Sequence, residues 1–369
     1  MRLRYKILNI GLLLVAIAIF AALLALRHTA PCQVAAPLPG DTAVMKAAVH
    51  RCYGSPDVIA LEEVRKPTPA DNEVLVRIHA ASVNALDWHV LRGEPYIMRM
   101  DGGIGSPKNV ALGWDFAGTV EAIGKNVTRF KPGDEVFGST GRGAFAQYVS
   151  VGQDGGIAPK PASLTFDEAA SLPVAALTAL QALRDKGHLR AGQKVLINGA
   201  SGGVGTFAVQ IAKALGAEVT GVCSTKNVEM VRSIGADHVI DYRREDVTRG
   251  AQRYDLVIDN VGTHSLLEFR RVMQPKAVLV IVGAGAPGKW IAPFVGPIKA
   301  MMLSPFVSQD GAMFIANISR KDLDVIADLA QSGKVRPVID RRYDLRDVRD
   351  AIRYVEGGHA RAKVIVTVP

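Results

Sequence analysis

A chain of 369 residues that is 49% hydrophobic and 21% charged has enough apolar material for a folded core, and its length predicts two domains. The net charge of +9 comes from scattered basic residues, with no basic stripe interleaved with aromatic residues, so we expect no nucleic-acid partner. The cysteines are Cys32, Cys52 and Cys223, and no Cys-x-x-Cys pair occurs. This sparse, odd set predicts three ordinary thiols rather than a disulfide framework or a cysteine-rich zinc site.

The N-terminal segment predicts a membrane anchor over residues 1–30. Residues 7–26 carry no charge, and about twenty helical residues match the thickness of a hydrocarbon core. A cleaved signal peptide is the alternative, but the apolar run is longer than the usual signal core. Arg2, Arg4 and Lys6 precede the run and weakly favour a cytoplasmic N-terminus.

A Pro- and Gly-containing linker over residues 31–44 leads into a region that is predicted to be rich in β-strands. The first strand begins at Met45, and residues 73–83 alternate between apolar and polar positions as a half-buried strand does. Further short strands follow, separated by turns of Gly, Pro and Asp. Residues 45–165 therefore predict a β-rich domain.

From residue 166 the pattern changes to strands alternating with helices. Residues 166–183 are rich in Ala and Leu and predict one helix, and buried strands of Val and Ile follow at regular intervals up to residue 318. This alternation indicates a doubly wound parallel sheet covered by helices on both faces. Residues 319–369 end in a strand that we expect to return to the first domain.

The stretch from Asn198 to Gly205 is the sharpest local feature, because it joins a predicted strand to a predicted helix. Gly202 and Gly205 have the spacing of a dinucleotide-binding turn, and Ala200 replaces the usual first glycine. Glycine permits the tight turn and the close approach of a diphosphate, which the N–H groups of the helix then receive. The alternative is a structural glycine turn with no cofactor.

The end of the next strand predicts NADPH rather than NADH. NAD-preferring sites place an acidic residue there to bind the ribose hydroxyl groups. Residues 221–226 contain no carboxylate, whereas Ser224, Thr225 and Lys226 offer two hydroxyl groups and an ammonium to a 2′-phosphate. The alternative for Lys226 is a solvated side chain at the start of a helix.

Most of the chain after residue 44 resembles the medium-chain dehydrogenase/reductase superfamily, in its zinc-free, quinone-oxidoreductase-like branch that includes the reticulon-interacting mitochondrial oxidoreductases. The stretches that carry the resemblance begin at Ala81, Gly113, Phe130, Gly199 and Gly235. The resemblance implies a GroES-like catalytic domain (residues 45–165 with 319–369), a Rossmann domain (residues 166–318), an active site in the cleft between them, and a homodimer.

The resemblance also implies site residues. Zinc-dependent members have Cys and His-Glu where this chain has Asn84 to Asp87 and Trp114-Asp115, so no metal site is expected. Asn84 and Asp87 are expected to line the nicotinamide end of the cleft; the alternative is that they cap a turn. The residues expected to contact NADPH are Ser201, Gly202, Gly203, Val204, Gly205, Ser224, Lys226, Tyr242 and Lys363. The family often has Gly where Ala362 stands, directly before the last of these residues.

The expected function is NADPH-dependent hydride transfer to a quinone or enone-type carbonyl, with no assigned proton donor; Tyr96 and His89 are weak candidates. The alternatives are an NADP-linked alcohol dehydrogenase or carbonyl reductase, and a non-catalytic protein that senses nucleotide. The predicted anchor favours a membrane location and gives modest support to a lipid quinone as substrate. The supply of NADPH slightly favours an enzyme that faces the cytoplasm. A cytoplasmic N-terminus, which the basic residues before the anchor favour, would instead place the enzyme on the other side of the membrane, so the side stays open.

Overall fold

The computed structural model describes residues 2–141, 143–283, 288–290, 292–303 and 308–369, with only the backbone of residues 2–8, 10–12, 292–294, 297, 301 and 303. Helix α1 comprises Arg2–Arg27. Within the described residues, no helix combines the length and the apolar character that crossing a membrane requires. The single-pass anchor expected over residues 1–30, and the membrane location that depends on it, are therefore not supported.

The first part of the chain after α1 forms antiparallel strands, as its alternating pattern predicts. Its elements are β1 (Val44–His50), β2 (Ile59–Arg65), β3 (Glu73–Val83), α2 (Ala85–Arg92), α3 (Arg99–Gly102), β4 (Asp115–Ile123), β5 (Glu135–Ser139), β6 (Tyr148–Gly152) and β7 (Ile157–Pro159). β3 is central and pairs antiparallel with β4 and with β6.

The second part forms a parallel sheet, and its strands occur in the order β10-β9-β8-β11-β12-β13. Its elements are α4 (Phe166–Ala170), α5 (Pro173–Gln181), β8 (Lys194–Asn198), α6 (Gly203–Ala214), β9 (Glu218–Cys223), α7 (Val228–Ser233), β10 (His238–Asp241), β11 (Tyr254–Asp259), α8 (Leu266–Phe269), β12 (Met273–Ile281), α9 (Ala292–Leu303) and β13 (Asp310–Met313). The prediction of one helix over residues 166–183 is wrong, because the helix is interrupted before Pro173, whose ring is compatible only with a first turn.

The chain then returns to the antiparallel sheet through α10 (Arg320–Gln331), β14 (Ile339–Asp344), α11 (Val348–Glu356) and β15 (Lys363–Thr367). β15 pairs antiparallel with β3, with Val364 opposite Val83, and parallel with β14. The first and last parts of the chain therefore share one sheet, and Lys363 lies near the end of β3. The residue boundaries that the sequence suggested for the domains stay predictions.

The cysteine prediction is wrong for two of the three thiols. Cys32 and Cys52 form a disulfide, with their Cα atoms 4.5 Å apart and a separation of 20 positions in the sequence. The linker folds back along the end of β1, so two cysteines that are distant in sequence become neighbours. Cys223 is free and buried, and burial raises the pKa of its thiol to about 11.

Candidate functional site

The glycine-rich turn lies between β8 and α6, where the strand order of the parallel sheet reverses. Gly199 has a φ of +77°, which favours glycine. A Cβ atom on Gly205 would lie 2.1 Å from the carbonyl oxygen of Gly199, so no side chain fits at that position. The N–H groups of the first turn of α6 lack intrahelical acceptors and point toward the carboxyl edge of the sheet, where open α/β sheets bind ligands. The five predicted turn residues all lie here: Ser201, Gly202, Gly203, Val204 and Gly205.

Ser224, at the end of β9, belongs to a small polar group beside this turn. Asn227 Nδ2 donates to Ser201 Oγ at 3.0 Å and to Ser224 Oγ at 3.4 Å. Asn227 is 6% exposed, and its Oδ1 has no hydrogen-bond partner among the described residues. Sequence reasoning missed Asn227, since an isolated Asn at the start of a helix resembles an ordinary capping residue.

Lys226 and Tyr242 are both exposed near the end of β9, and the backbone N–H of Tyr242 donates to Cys223. The structure adds a carboxylate that the sequence argument did not consider, because β10 brings Asp241 beside this edge. Asp241 Oδ2 accepts a 2.6 Å hydrogen bond from Thr225 Oγ1, which keeps the pKa of Asp241 below its usual value. The expectation of a carboxylate-free site is therefore correct for residues 221–226 alone.

A buried polar cluster lies in the part of the chain that forms the antiparallel sheet, and it consists of Asn84, Asp115 and Lys363. Lys363 Nζ donates to Asn84 Oδ1 at 2.6 Å and lies 3.9 Å from Asp115 Oδ2. Asn84 Nδ2 donates to Asp115 at 2.9 Å, and Ser82 Oγ donates to the same carboxylate at 3.2 Å. Asp87 is nearby and accepts a 2.7 Å hydrogen bond from the backbone N–H of Asn84. The cluster thus brings together two of the predicted residues, Asn84 and Lys363, with Asp115, which was noted only as part of a motif.

Burial shifts the titration of this cluster toward neutral forms. Burial, with a smaller contribution from the nearby Asp115 carboxylate, raises the pKa of Asp87 to about 7. Burial also raises the pKa of Asp115, although the Lys363 ammonium opposes that shift. Burial lowers the pKa of Lys363 against the attraction of both carboxylates. Asp87 also closes the first turn of α2, so the capping role is realised for this residue.

Lys363 also connects the cluster to the glycine-rich turn. The backbone N–H of Ala362 donates to Ser201 O at 2.8 Å. A Cβ atom on Gly203 would lie 3.3 Å from Lys363 Cδ, so the lysine stem passes the first turn of α6 before its ammonium reaches Asn84. Ala362 adopts a φ of +60°, a conformation that favours glycine, although alanine occupies the position in this chain.

The two weak candidates for proton donor have other roles. His89 Nδ1 hydrogen-bonds to the carbonyl oxygen of Glu94 at 2.8 Å, and its ring stacks on Trp88. The Tyr96 ring packs edge-on against Trp290, with 4.9 Å between ring centroids. His89 and Tyr96 therefore serve as packing residues.

The cluster does not fit zinc. It contains no thiolate and no imidazole, the ligands that catalytic zinc sites mostly use, and the ammonium of Lys363 already lies against Asn84 and Asp115. Elsewhere in the described part of the chain, no three side chains of His, Cys, Asp or Glu come together as a metal site.

Comparison with known proteins identifies the family. The model of the alcohol dehydrogenase GroES-like domain matches residues 70–162, and that of the zinc-binding dehydrogenase family matches residues 234–366. The mitochondrial NAD(P)H oxidoreductase RTN4IP1 of Mus musculus is 35% identical, over 88% of this chain and 89% of its own. The chain belongs to the medium-chain dehydrogenase/reductase superfamily, in its quinone-oxidoreductase-like branch. It is accordingly an oxidoreductase.

Two further relatives are similar over most of their length. A chloroplastic NADPH-dependent alkenal/one oxidoreductase of Arabidopsis thaliana is 32% identical, over 87% of this chain and 79% of its own. The solved structure of the quinone oxidoreductase from Coxiella burnetii superposes with a TM-score of 0.78 at 29% identity, over 89% of this chain and all of that chain. The predicted GroES-like and Rossmann domains are thereby confirmed, whereas the homodimer stays a prediction.

Proposed function

We propose that this oxidoreductase transfers hydride from NADPH to a quinone or an enone-type carbonyl without a catalytic zinc ion. The observation that carries the proposal is the buried ammonium of Lys363 against Asn84 and Asp115, which lie in the stretches where the family resemblance implies the metal ligands of the zinc-dependent branch. The names of the Coxiella and Arabidopsis relatives, a quinone oxidoreductase and an alkenal/one oxidoreductase, support the choice of acceptor.

The first turn of α6 would hold the diphosphate of the dinucleotide. Ser224 and Lys226 would hold its 2′-phosphate. Three features fit such a ligand: the tight turn that Gly205 permits, the helix N-terminus and the unpaired Oδ1 of buried Asn227. NADPH supplies the hydride when it is bound. Tyr242 lies exposed beside the same edge and completes the proposed contacts.

The acceptor class follows from the charge that develops during reduction. An oxygen that gains negative charge must be stabilised by a cation or by hydrogen-bond donors, and zinc performs this role for simple alcohols. A hydroquinone anion is already delocalised, so a quinone needs less help. Lys363 and Asn84 supply a fixed positive charge and an amide, held in place by Asp115.

A panel of acceptors tests the proposal with the full-length chain. We expect NADPH oxidation with short-chain quinones or enones, at a rate that EDTA leaves unchanged and above the rate with NADH. Gly205→Val should lose this activity, whereas Gly250→Ala, at a glycine with open space around it, should keep it. Activity that EDTA removes and zinc restores, or turnover of alcohols alone, would overturn the proposal; nucleotide binding without any turnover would favour the non-catalytic alternative.

A further inference from the structure

Arg99 is a buried arginine that has no carboxylate of the described residues within ion-pair distance. It is 2% exposed, and its guanidinium donates to six backbone or hydroxyl oxygens. Nη1 donates to the carbonyl oxygens of Leu26 at 3.1 Å and His28 at 2.9 Å. Nη2 donates to Arg92 O at 3.0 Å, and Nε to Gly93 O at 2.9 Å.

These acceptors are the ends of two helices. Leu26 lies in the last turn of α1 and Arg92 in the last turn of α2, where carbonyl groups lack intrahelical partners and carry partial negative charge. The rings of Tyr53 and Tyr96 face the guanidinium, with their centroids 4.4 Å and 4.6 Å from Cζ. Two helix ends and two aromatic faces thus replace the missing carboxylate, and Arg99 ties the N-terminal helix to α2.

Two further contacts hold the segment that follows α1, residues 28–33, against the same region. The backbone N–H of Ala30 donates to Gly105 O at 2.8 Å. The disulfide then joins Cys32 to Cys52, just after β1. The N-terminal segment is therefore attached along residues 93–105, which follow α2. We call this stretch the 93–105 loop, although it contains the short helix α3.

The opposite side of this loop contacts the parallel-sheet domain. The backbone N–H of Tyr96 donates to Lys289 O at 2.7 Å, and its ring packs on Trp290. Lys289 Nζ also pairs with Glu94 at 2.9 Å. The loop thus lies between the N-terminal segment and the Rossmann domain, directly after α2, whose N-cap residue is Asn84.

We propose that Arg99 is a positioning residue for the acceptor: together with the Cys32–Cys52 disulfide, it holds the 93–105 loop against Lys289 and Trp290 and so fixes one wall of the cleft. The inference rests on the proposed function, because it concerns the affinity for the acceptor. It predicts a selective effect, since the loop shares no residue with the glycine-rich turn and the end of β9. Releasing the loop should weaken acceptor binding and leave NADPH binding intact.

Two independent variants of the full-length chain test this role. Arg99→Lys keeps the charge but loses the planar fork that reaches several carbonyls at once. The double variant Cys32→Ser/Cys52→Ser removes the covalent link while leaving Arg99 unchanged. Arg129→Lys, at an exposed arginine paired with Asp154, is the matched control.

For both test variants we expect the KM for the quinone or enone acceptor to rise about five- to tenfold, the scale of one or two net hydrogen bonds, with the Kd for NADPH within about twofold of the wild type. Hydrogen–deuterium exchange should become faster over residues 93–105. Arg129→Lys should match the wild type in all three measurements.

Unchanged acceptor KM in both variants, or an equal loss of NADPH affinity, would overturn the positioning role. Absence of turnover in the wild type would instead refute the proposed function. In that event, the exchange measurement still decides whether Arg99 and the disulfide hold the loop, and unchanged exchange would refute that as well.

Discussion

The glycine-rich turn and the buried polar cluster are adjacent in space but are built in different ways. The turn is encoded in one short stretch, residues 198–205, and depends on the backbone and on the absence of side chains. The cluster depends on three side chains, and Asn84 and Lys363 are 279 residues apart in sequence. The comparison teaches that the side proposed for the cofactor is a local property of the chain, whereas the side proposed for the acceptor exists only after both ends of the chain meet.

The largest effect should come from breaking the cluster on one side only. Lys363→Met leaves Asp115 buried without its cation, which should cost about 3–5 kcal/mol of folding free energy, the scale found for one-sided removal of buried pairs. Adding Asp115→Asn should recover much of that loss, because the uncompensated charge disappears. Urea denaturation of both variants measures the difference, and equal stability of the single and double variants would contradict a charge-paired cluster.

Breaking the turn should affect binding more selectively. Gly205→Val places a side chain against the carbonyl oxygen of Gly199, so the affinity for NADPH should fall about 100-fold, or about 3 kcal/mol. Titration of NADPH fluorescence measures the change, and circular dichroism checks that the chain is folded. The matched control, Gly250→Ala, should bind as the wild type does; wild-type affinity in Gly205→Val would show that the diphosphate binds elsewhere.

Asp87 should make the stability of the protein depend on pH. The pKa of this buried carboxyl is about 7 in the folded chain, above its ordinary value of 3.8, so the folded state binds the extra proton between these pH values. Its stabilising contribution is complete below pH 3.8 and is lost as pH rises through 7. Asp87→Asn keeps an oxygen that accepts the hydrogen bond from Asn84 but does not titrate. Between pH 5 and pH 8 its free energy of unfolding should therefore rise by about 2–3 kcal/mol relative to that of the wild type. Thermal unfolding of both proteins at pH 5 and pH 8 measures this change. The same difference in melting temperature between the two proteins at both pH values would refute the assignment of Asp87 as a buried acid.

The smallest effect is expected at the edge of β9. Lys226 is exposed, so its attraction to a 2′-phosphate is screened by water, and Lys226→Ala should weaken NADPH binding about fivefold with little change for NADH. Lys131→Ala, at another exposed lysine, serves as the control. An equal loss of affinity for both nucleotides would place Lys226 outside the phosphate contact and leave Ser224 and Thr225 as the candidates.

Most of the fold was predictable because buried strands and glycine turns follow local rules. The strand at residues 73–83 and the helix that begins at Gly203 occur as expected, within a residue. The break before Pro173 was missed because the surrounding Ala-rich sequence favours a continuous helix. Asp241 was missed because it arrives on a neighbouring strand, and register between parallel strands is not a local property.

The sequence by itself determined the two-domain organisation, the position of the glycine-rich turn and the absence of a carboxylate at the end of β9. Each of these depends on the spacing of neighbouring residues, which the chain carries before it folds. Tertiary structure alone decided that Lys363 lies between Asn84 and Asp115, that Cys32 meets Cys52, and that Arg99 joins two helix ends. Buried charges and crosslinks depend on which distant segments become neighbours, and that is fixed only when the two sheets and the returning C-terminal strand pack together.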